Sequence, residues 1–310
     1  MCISAPGAII QRMRSDYREE PCKAALNQVR GMGFGWSLNP YMGCAHRCAF
    51  CYVRAFERRA DRPGDARYGN SIRVKINVAE VLRSELARPS WRRELVAVGA
   101  ATDPYQPAEG RYRLTRACLE TLAEARTPFG IVTRGPLVVR DLDVLQHAAR
   151  RAEVSVCLSI PTLDDAIWRR TEPGAPPPRQ RLRALERLVT AGIRAGVAIA
   201  PILPGISDRP EQLEQVVRAA RGAGATFVWG SLLHLKPGTR EHFLDLVGRE
   251  WPDRVRDYER LYGQRAYLQR RESETALARI RDLRVLHGIA DRRPAPLTPP
   301  AQPKQLDLAL

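Results

Sequence analysis

Short uncharged apolar segments alternate with longer amphipathic segments along the middle of the chain, and this alternation restricts the fold more than any other feature. The apolar segments are residues 95–101, 129–133, 154–160, 197–203 and 227–233. Segments this short and this poor in charge are typical of parallel strands that are covered on both faces. Strand–helix alternation of this kind requires a parallel sheet with right-handed crossovers.

The segments between these runs have the periodicity of amphipathic helices. Apolar residues follow Pro210 at helical i, i+3, i+4 and i+7 spacing, namely Leu213, Val216, Val217 and Ala220. Similar patterns follow Thr115 and Asp141 and surround Leu185. With one more strand before the cysteine segment, the chain contains about six βα units, which is too few for a closed eight-unit barrel. In such sheets the chemistry lies at the carboxyl ends of the strands.

Composition and patterning also suggest how the chain is divided. We expect a loop-rich segment over residues 1–36, the core domain over 37–240, a helical extension over 241–290 and a disordered tail over 291–310, which contains five prolines. The 44% hydrophobic and 27% charged residues are typical of a globular protein. No uncharged apolar run of about 18 residues and no signal-peptide core is present, so we expect a cytoplasmic protein without a membrane span.

Three of the seven cysteines fall within eight residues, at the spacing Cys44-x3-Cys48-x2-Cys51. Thiolate ligands select zinc or iron–sulfur clusters, and three of them leave one iron of a four-iron cluster without a protein ligand. The alternative is a structural zinc ion, for which His46, Cys118 or Cys157 would complete a set of four ligands. Zinc motifs usually combine two separated pairs, and the sequence has no second pair. The spacing therefore favours iron–sulfur over zinc.

The cysteine motif, with Phe50 before its last cysteine, resembles the signature of the radical S-adenosylmethionine (SAM) enzymes. Other segments resemble the spore photoproduct lyase-like branch of that superfamily. They are Asn39-Pro-Tyr-x-Gly, Tyr52, Thr102-Asp-Pro-Tyr-Gln-Pro-Ala-Glu109, Ile131-Val-Thr-Arg134, Ser159-Ile-Pro-Thr162 and Ala198-Ile-Ala-Pro-Ile-Leu-Pro-Gly205. The resemblance covers roughly residues 30–240.

This resemblance implies a fold, two cofactors and a reaction class. Members of the superfamily fold as an α/β partial (β/α)6 TIM-type barrel. They bind a 4Fe–4S cluster through three cysteines, here Cys44, Cys48 and Cys51, and SAM binds to the open iron. One-electron reduction, from a flavodoxin- or ferredoxin-like donor, splits SAM into methionine and a 5′-deoxyadenosyl radical that abstracts hydrogen from a substrate.

The resemblance also implies a SAM site. The backbone of Phe50 is expected near the adenine, Gly99, Ala100, Thr102 and Asp103 near the amino group, Arg134 near the carboxylate, Ser159 near the ribose and His234 near the adenine. Lyase relatives carry a lysine where this chain has Arg134, and a guanidinium is suited to binding a carboxylate. Three of these residues also have a purely structural interpretation: Asp103 in a turn, and Ser159 and His234 as ordinary residues at strand ends. The same holds for Tyr52, which can be a packing aromatic.

One departure from the branch concerns the second-strand motif. Photoproduct lyases place a hydrogen-donating cysteine just before the Thr/Ser-Asp pair, but residues 98–103 read Val-Gly-Ala-Ala-Thr-Asp. Because the thiol that closes the repair reaction is missing, we interpret the chain as a relative of the lyases and not as a lyase.

The formal net charge of +16 and the pI of about 10.2 favour phosphate-rich partners, and nucleic acid is a candidate. The alternative is a basic enzyme without such a partner. Arginines at 58, 59 and 62, at 111, 113 and 116, and at 179, 181 and 183 form either a phosphate track or solvated helix faces.

The last six residues, from Gln305 to Leu310, resemble peptides that dock on sliding clamps, although a frayed apolar terminus is the simpler interpretation. The competing function is a nucleic-acid or clamp-binding module whose metal is structural.

Overall fold

The computed structural model describes residues 15–292 of the chain. Its strands are β1 (Asp16–Glu20), β2 (Leu26–Gln28), β3 (Trp36–Leu38), β4 (Tyr41–Met42), β5 (Ser71–Lys75), β6 (Val96–Val98), β7 (Phe129–Thr133), β8 (Val154–Ser159), β9 (Ala195–Ile202) and β10 (Phe227–Leu232). Its α-helices are α1 (Val53–Arg59), α2 (Val78–Leu86), α3 (Pro107–Tyr112), α4 (Leu114–Glu124), α5 (Leu142–Ala149), α6 (Asp165–Thr171), α7 (Pro178–Thr190), α8 (Pro210–Gly222), α9 (Thr239–Glu250), α10 (Val255–Tyr262) and α11 (Arg270–Leu286). Two 3₁₀ segments, Pro136–Asp141 and Pro252–Arg254, precede α5 and α10.

A seven-stranded sheet in the order β10-β9-β8-β7-β6-β3-β2 forms the centre of the described chain. Strands β3, β6, β7, β8, β9 and β10 pair in parallel, and β2 joins β3 antiparallel at one edge. A smaller sheet places β5 between β1 and β4. The six parallel strands confirm the predicted α/β fold, an open partial barrel of the TIM type.

The two faces of the large sheet belong to different apolar clusters. One face carries apolar side chains such as Val156, Leu158 and Val197, which pack with the apolar stripes of α4, α5, α7 and α8 in the main core. Burial of each such side chain stabilises the fold by about 1.5–3 kcal/mol. On the other face, Cys157 and Ala198 pack with Phe227 in a separate small cluster. Strand alternation therefore reserves one face of the sheet for the helices.

The predicted helical extension is present as α9, α10 and α11. Ile280 and Leu283 of α11 are buried in the main core, and Ala290 forms a parallel bridge to Phe227 of the edge strand β10. The extension thus covers one edge of the sheet, where unpaired backbone groups would otherwise be exposed. The predicted disordered tail lies almost wholly outside the described residues.

Two short strands, β1 and β2, lie in the N-terminal segment where the sequence suggests loops. Their sequences, DYREE and LNQ, lack the apolar run of a buried strand. They exist because β5 and β3 provide partners for their backbone groups, which is tertiary information.

Candidate functional site

The cysteine segment forms a compact loop between β4 and α1. Gly43, with a φ of +87°, turns the chain ahead of Cys44. Arg54 of α1 is buried beneath the loop, where its guanidinium donates to the carbonyl oxygens of Arg47 and Cys48, both at 3.2 Å. The same guanidinium donates to the carbonyls of Gly64 and Asp65, at 3.0 and 2.5 Å. One arginine therefore fixes the cysteine loop against the following loop.

The three thiols lie close enough to affect one another electrostatically. Cys44 and Cys48 are buried, Cys51 is half-buried, and the Tyr68 hydroxyl lies 3.7 Å from the Cys51 Sγ. Burial raises the pKa of Cys44 well above its ordinary value, and the Asp103 carboxylate and the other two thiols raise it further. Burial also raises the pKa of Cys48, to about 12. A metal that binds here must therefore displace protons from the thiols.

None of the three candidates for a fourth zinc ligand joins the thiols. The His46 Nδ1 lies 3.2 Å from an Asp103 carboxylate oxygen, Cys118 is buried in the main core, and Cys157 accepts a hydrogen bond from the Trp229 indole at 3.3 Å. Within residues 15–292, no three His, Cys, Asp or Glu side chains surround a single-ion position. Three thiolates that each bind a different iron of one cluster need not converge on a single point. The donor set therefore fits a three-cysteine iron–sulfur cluster better than a closed zinc site.

The predicted SAM-binding residues collect at the carboxyl edge of the large sheet, above the cysteine loop. Gly99 follows β6, Arg134 follows β7, Ser159 ends β8 and His234 follows β10. Parallel strands bring their carboxyl ends to the same edge, which explains why residues far apart in sequence meet here.

The loop after β6 approaches its neighbours so closely that its first residue must be small. Gly99 has a φ of +90°, and a Cβ at this position would lie 2.5 Å from Pro104 and 2.7 Å from the Val132 carbonyl oxygen. The next two residues are held by side chains from the cysteine segment. The Ala100 carbonyl accepts a hydrogen bond from the Tyr52 hydroxyl, and the Ala101 amide donates to Asn39 at 2.7 Å.

Thr102 connects this loop to the cysteine segment. Its hydroxyl donates to the Gly43 carbonyl at 2.7 Å and accepts from the Gln106 side chain at 2.9 Å. The Gln106 amide group also donates to the Gly43 carbonyl and accepts from the Ala45 amide. The Thr102 side chain therefore links the loop after β6 to the cysteine segment. Its hydrogen bonds with Gly43 and Gln106 fix its position relative to Cys44.

The Asp103 carboxylate is occupied by donors from the protein. Its oxygens accept hydrogen bonds from the Thr133 hydroxyl at 2.6 Å and from the backbone amides of Tyr105 and Arg134 at 2.9 and 2.7 Å. Burial alone would raise its pKa, but His46 and the hydrogen bonds from Thr133 and Arg134 outweigh burial and lower the pKa to about 2. The side chain joins the loops after β6 and β7, so a ligand at residues 99–103 would meet backbone groups.

Arg134 lies on Phe50, with its guanidinium carbon 5.4 Å from the ring centroid. Its Nε pairs with the buried carboxylate of Glu172, and its Nη2 donates to the Ala200 carbonyl at 3.2 Å. Burial alone would lower the pKa of Arg134, but Cys48 and Glu172 outweigh it and raise the pKa above its ordinary value. Ser159 donates to the same Ala200 carbonyl at 2.9 Å. Arg134, Phe50 and Ser159 are therefore brought together as predicted.

His234 belongs to a row of four aromatic rings, which we call the ring ladder. Its members are Phe56, Tyr52, His234 and Tyr267, with successive centroids 5.7, 5.5 and 5.4 Å apart. Burial and the Lys236 charge lower the pKa of His234, which favours the neutral ring. The ladder runs from Tyr52, directly after the last cysteine, to Tyr267, whose side chain is 60% exposed.

Two members of the three arginine groups are engaged by carboxylates. Arg181 is fully buried and pairs with Glu172 at 3.0 Å. Arg116 is half-buried and pairs with Asp141 and Asp143 at 3.2 and 2.6 Å. Arg181 therefore cannot contribute to a phosphate track on the surface.

Comparison with known proteins defines the family. A family model described as "Radical SAM superfamily" matches residues 38–246, which is most of the chain. The chain belongs to the radical SAM superfamily. It is 39% identical to an uncharacterized protein of Mycobacterium tuberculosis over 90% of this chain and 84% of that protein. It is 28% identical to the "Radical SAM Nalpha-GlyT isomerase" of Pseudomonas phage M6 over 54% of this chain and 33% of that protein.

Solved structures support the fold. A spore photoproduct lyase complexed with dinucleoside spore photoproduct superposes with a TM-score of 0.66 and 14% identity, covering 93% of this chain and 85% of that one. A lyase mutant with bound AdoMet and dinucleoside spore photoproduct gives a TM-score of 0.65 at 15% identity, covering 93% and 84%. The superfamily resemblance is confirmed, and a 4Fe–4S cluster and SAM are its cofactors. These enzymes also need a reductant. Within residues 15–292, no helix is both long and apolar enough to cross a membrane.

Several residues of the site have no clear sequence signal. Glu172 precedes a proline-rich stretch that resembles a surface loop, and Arg181 resembles the other arginines of the predicted amphipathic helix. Gln106 lies in a segment in which the family resemblance does not single it out. Burial is what distinguishes them, since each is at most 1% exposed. A charged residue next to prolines and ahead of an amphipathic helix was the only available indication.

Proposed function

We propose that this enzyme cleaves SAM reductively at a 4Fe–4S cluster held by Cys44, Cys48 and Cys51 and uses the resulting radical to abstract hydrogen from a substrate. One observation carries the proposal: three mutually close thiols lie beneath a carboxyl edge where Arg134 is held on Phe50, beside Cys48. A purely structural metal site would have no need of a half-buried cation at this edge.

The residues present fit both cofactors. The three thiols would hold the cluster, and together the bound cofactors supply one-electron cleavage of SAM to methionine and a 5′-deoxyadenosyl radical. Arg134 supplies a charge-assisted donor for the SAM carboxylate. The backbone of the loop from Gly99 to Asp103 is available for the amino group, because the side chains of Thr102 and Asp103 are occupied by the protein.

Other residues orient SAM and limit the access of water. Ser159, at the end of β8, is positioned for the ribose, and the backbone of Phe50 and the side chain of His234 are positioned for the adenine. Tyr52 closes the space between His234 and Ala100, since its ring contacts one and its hydroxyl donates to the other. An apolar wall of this kind protects a radical from solvent and side reactions.

Anaerobic reconstitution with iron and sulfide tests the proposal. We expect an iron–sulfur absorbance band that changes on addition of SAM, followed by release of 5′-deoxyadenosine under dithionite. Cys48→Ala should abolish cluster binding, whereas Cys157→Ala, a matched change outside the motif, should retain it. One zinc ion per chain with no effect of SAM would contradict the proposal and support the structural-metal alternative.

We further propose a nucleic acid as the substrate. The ring ladder ends at the exposed face of Tyr267, and an exposed ring is a platform on which a nucleobase can stack. The formal net charge of +16 provides attraction for phosphates. Through His234, the ladder connects this surface platform to Tyr52, which directly follows the last cysteine of the proposed cluster site.

Binding of a fluorescent single-stranded oligonucleotide by the reconstituted enzyme tests this substrate class. Tyr267→Ala should weaken binding about tenfold, because stacking on an aromatic side chain contributes about 1–3 kcal/mol per base. Tyr112→Ala is the matched control, since this tyrosine lies outside the ladder and pairs with Tyr17. Equal affinity of Tyr267→Ala and wild type would rule out the ladder as a base platform.

Two further partner predictions concern the electron donor and a sliding clamp. We propose a flavodoxin- or ferredoxin-like protein as the electron donor, for which dithionite substitutes in the assay above. The clamp-docking segment from Gln305 to Leu310 lies outside the described residues and stays a prediction.

A further inference from the structure

We propose that Glu172 and Arg181 are positioning residues that hold Arg134 in the orientation required for the SAM carboxylate. The inference rests on the proposed function, because it takes Arg134 as the residue that binds the SAM carboxylate. Glu172 and Arg181 do not themselves reach the ligand. It assigns the selectivity of the site for the carboxylate to a buried ion-pair network: Arg134–Glu172–Arg181, called the open network below.

The hydrogen bonds of Arg134 leave one part of its guanidinium available. Nε is held by Glu172 and Nη2 by the Ala200 carbonyl, while Phe50 lies against the guanidinium plane. Among residues 15–292, no hydrogen bond from Nη1 to a protein acceptor is present. Two fixed nitrogens and a ring against the plane determine where the third nitrogen lies. The orientation of Arg134 is thus determined by protein contacts before any ligand arrives.

Arg181 in turn fixes Glu172. It donates to the carbonyl oxygens of Ser159 and Pro176 at 2.8 and 2.9 Å, and to the Glu172 carboxylate at 3.2 Å. These carbonyls belong to the end of β8 and to the segment before α7. Arg181 therefore fixes the position of Glu172 relative to the sheet. Ser159 is also the residue proposed to face the ribose. One arginine therefore ties the carboxylate side and the ribose side of the site together.

Some polar atoms of the open network have no hydrogen-bond partner among the described residues. The fully buried Arg181 and the half-buried Arg134 share the one carboxylate of Glu172, and the Asp103 carboxylate is a further negative charge that acts on Arg134. In addition, Arg181 Nη2 is buried and makes no hydrogen bond, whereas Glu172 Oε2 lies 3.0 Å from Arg181 Nη1 in their ion pair. A buried polar atom without a hydrogen-bond partner is destabilising in a protein alone. The Nη1 of Arg134, a guanidinium nitrogen without a protein acceptor, points to an anionic ligand group.

The test compares the affinities of the reconstituted enzyme for SAM and for decarboxylated SAM, measured at equal iron content. The dissociation constant for decarboxylated SAM divided by that for SAM reports carboxylate recognition. This ratio cancels effects on folding, cluster loading and adenine binding. Glu172→Asp keeps the charge but is one methylene too short to reach both arginines. We expect the ratio in Glu172→Asp to fall about tenfold, as for the loss of one charge-assisted hydrogen bond.

Glu172→Gln separates positioning from charge, because it keeps the reach and the acceptor oxygen but loses the charge. Positioning predicts that the ratio in Glu172→Gln stays within about threefold of wild type, less than the change in Glu172→Asp. An electrostatic role predicts the reverse order, with Glu172→Asp unchanged. Glu250→Asp is the matched control, since Glu250 forms an exposed ion pair with Arg170 and should not alter the ratio.

Each outcome decides the inference. An unchanged ratio in Glu172→Asp, or an equal loss of affinity for both ligands, overturns the positioning role while leaving the proposed function intact. Failure of the wild type to bind SAM overturns both. If Glu172→Asp does not load iron, Arg181→Lys provides the same test, because lysine retains the charge but cannot hold Glu172 and both carbonyls. A wild-type ratio in Arg181→Lys would then overturn the inference.

Discussion

Two buried networks of arginines and carboxylates lie in this molecule, and they differ in completeness. The first, called the closed network, joins Glu109 and Asp141 to Arg116 and Arg140 near α3 and α4. The second is the open network beside the cysteines. In the closed network two buried carboxylates face two guanidinium groups, and Arg116 also pairs with the exposed carboxylates of Glu120 and Asp143. In the open network one carboxylate pairs with two guanidinium groups.

Every buried polar atom of the closed network has a partner. Glu109 accepts from the Tyr41 hydroxyl, the Thr115 amide and Arg140, at 2.5, 2.8 and 2.7 Å. Asp141 accepts from the Tyr105 hydroxyl at 3.1 Å. No atom of these side chains is among the buried unpaired atoms, in contrast to Arg181 Nη2. In a network that only stabilises the fold, we expect every polar atom to have a partner within the protein. In a network that also binds a ligand, we expect some polar atoms to lack one.

The largest effect is expected from breaking the closed network. Glu109→Gln removes a buried charge and leaves Arg140 partly uncompensated, which should lower the free energy of unfolding by about 3–5 kcal/mol. Anaerobic urea denaturation measures this change. Glu120→Gln, on the exposed side of Arg116, is the control and should have little effect. A loss below about 1 kcal/mol in Glu109→Gln would show that the network does not stabilise the fold.

The next effect concerns Asp103, which connects the cysteine loop to the loops after β6 and β7. Its pKa falls from an ordinary value of 3.8 to about 2, so the charged form stabilises the folded state. This contribution, about 2 kcal/mol, is fully present above about pH 4 and is lost as the pH falls through about 2. Asp103→Asn should therefore be less stable than wild type at pH 6, and the difference should shrink towards pH 2. A difference in unfolding free energy that does not change with pH would contradict the assignment.

A smaller effect is expected from Arg134→Lys, which sharpens the comparison at the open network. Lysine keeps the charge but cannot pair with Glu172 and Ala200 and reach the ligand at the same time. We expect SAM to bind about fivefold more weakly, a change below one hydrogen bond to a charged group. Equilibrium titration of the reconstituted enzyme measures it. Wild-type affinity would show that charge alone suffices at this position.

The smallest effect is expected from an ion pair on the surface. Asp245 and Arg249 form an exposed i, i+4 pair on α9, with nitrogen and oxygen 3.4 Å apart. Asp245→Asn should change the free energy of unfolding by less than about 0.5 kcal/mol, because water screens such pairs. Urea denaturation of Asp245→Asn and Glu109→Gln in parallel measures the smallest and the largest expected loss of unfolding free energy. A loss comparable to that of Glu109→Gln would show that burial does not control the energetics of these pairs.

Much of the fold could be predicted from the sequence. The five apolar runs correspond to β6 through β10, and their carboxyl ends bring Gly99, Arg134, Ser159 and His234 to one edge. The run at residues 95–101 gives only a three-residue strand, because Gly99 adopts a positive φ and ends it. Local pattern thus predicts which elements exist, and parallel topology predicts where their ends meet.

Partners distant in sequence could not be predicted. Glu172 meets Arg134 across 38 residues, and Arg181 resembles any other arginine on an amphipathic helix until the fold buries it. Asp103 carries a similar lesson: the motif marks it as a ligand-binding residue, but its oxygens are used by Thr133 and backbone amides. Hydrogen-bond saturation is a tertiary property that spacing does not contain.

The central claim is that three cysteines hold a cluster whose remaining iron binds SAM beside the open network. Electron paramagnetic resonance of the dithionite-reduced enzyme, recorded with and without SAM, tests it most directly. We predict a signal from the reduced cluster whose g values shift when SAM is added, and no such signal in Cys48→Ala. A cluster signal that SAM leaves unchanged, or a reconstituted protein that holds no iron, would contradict the account.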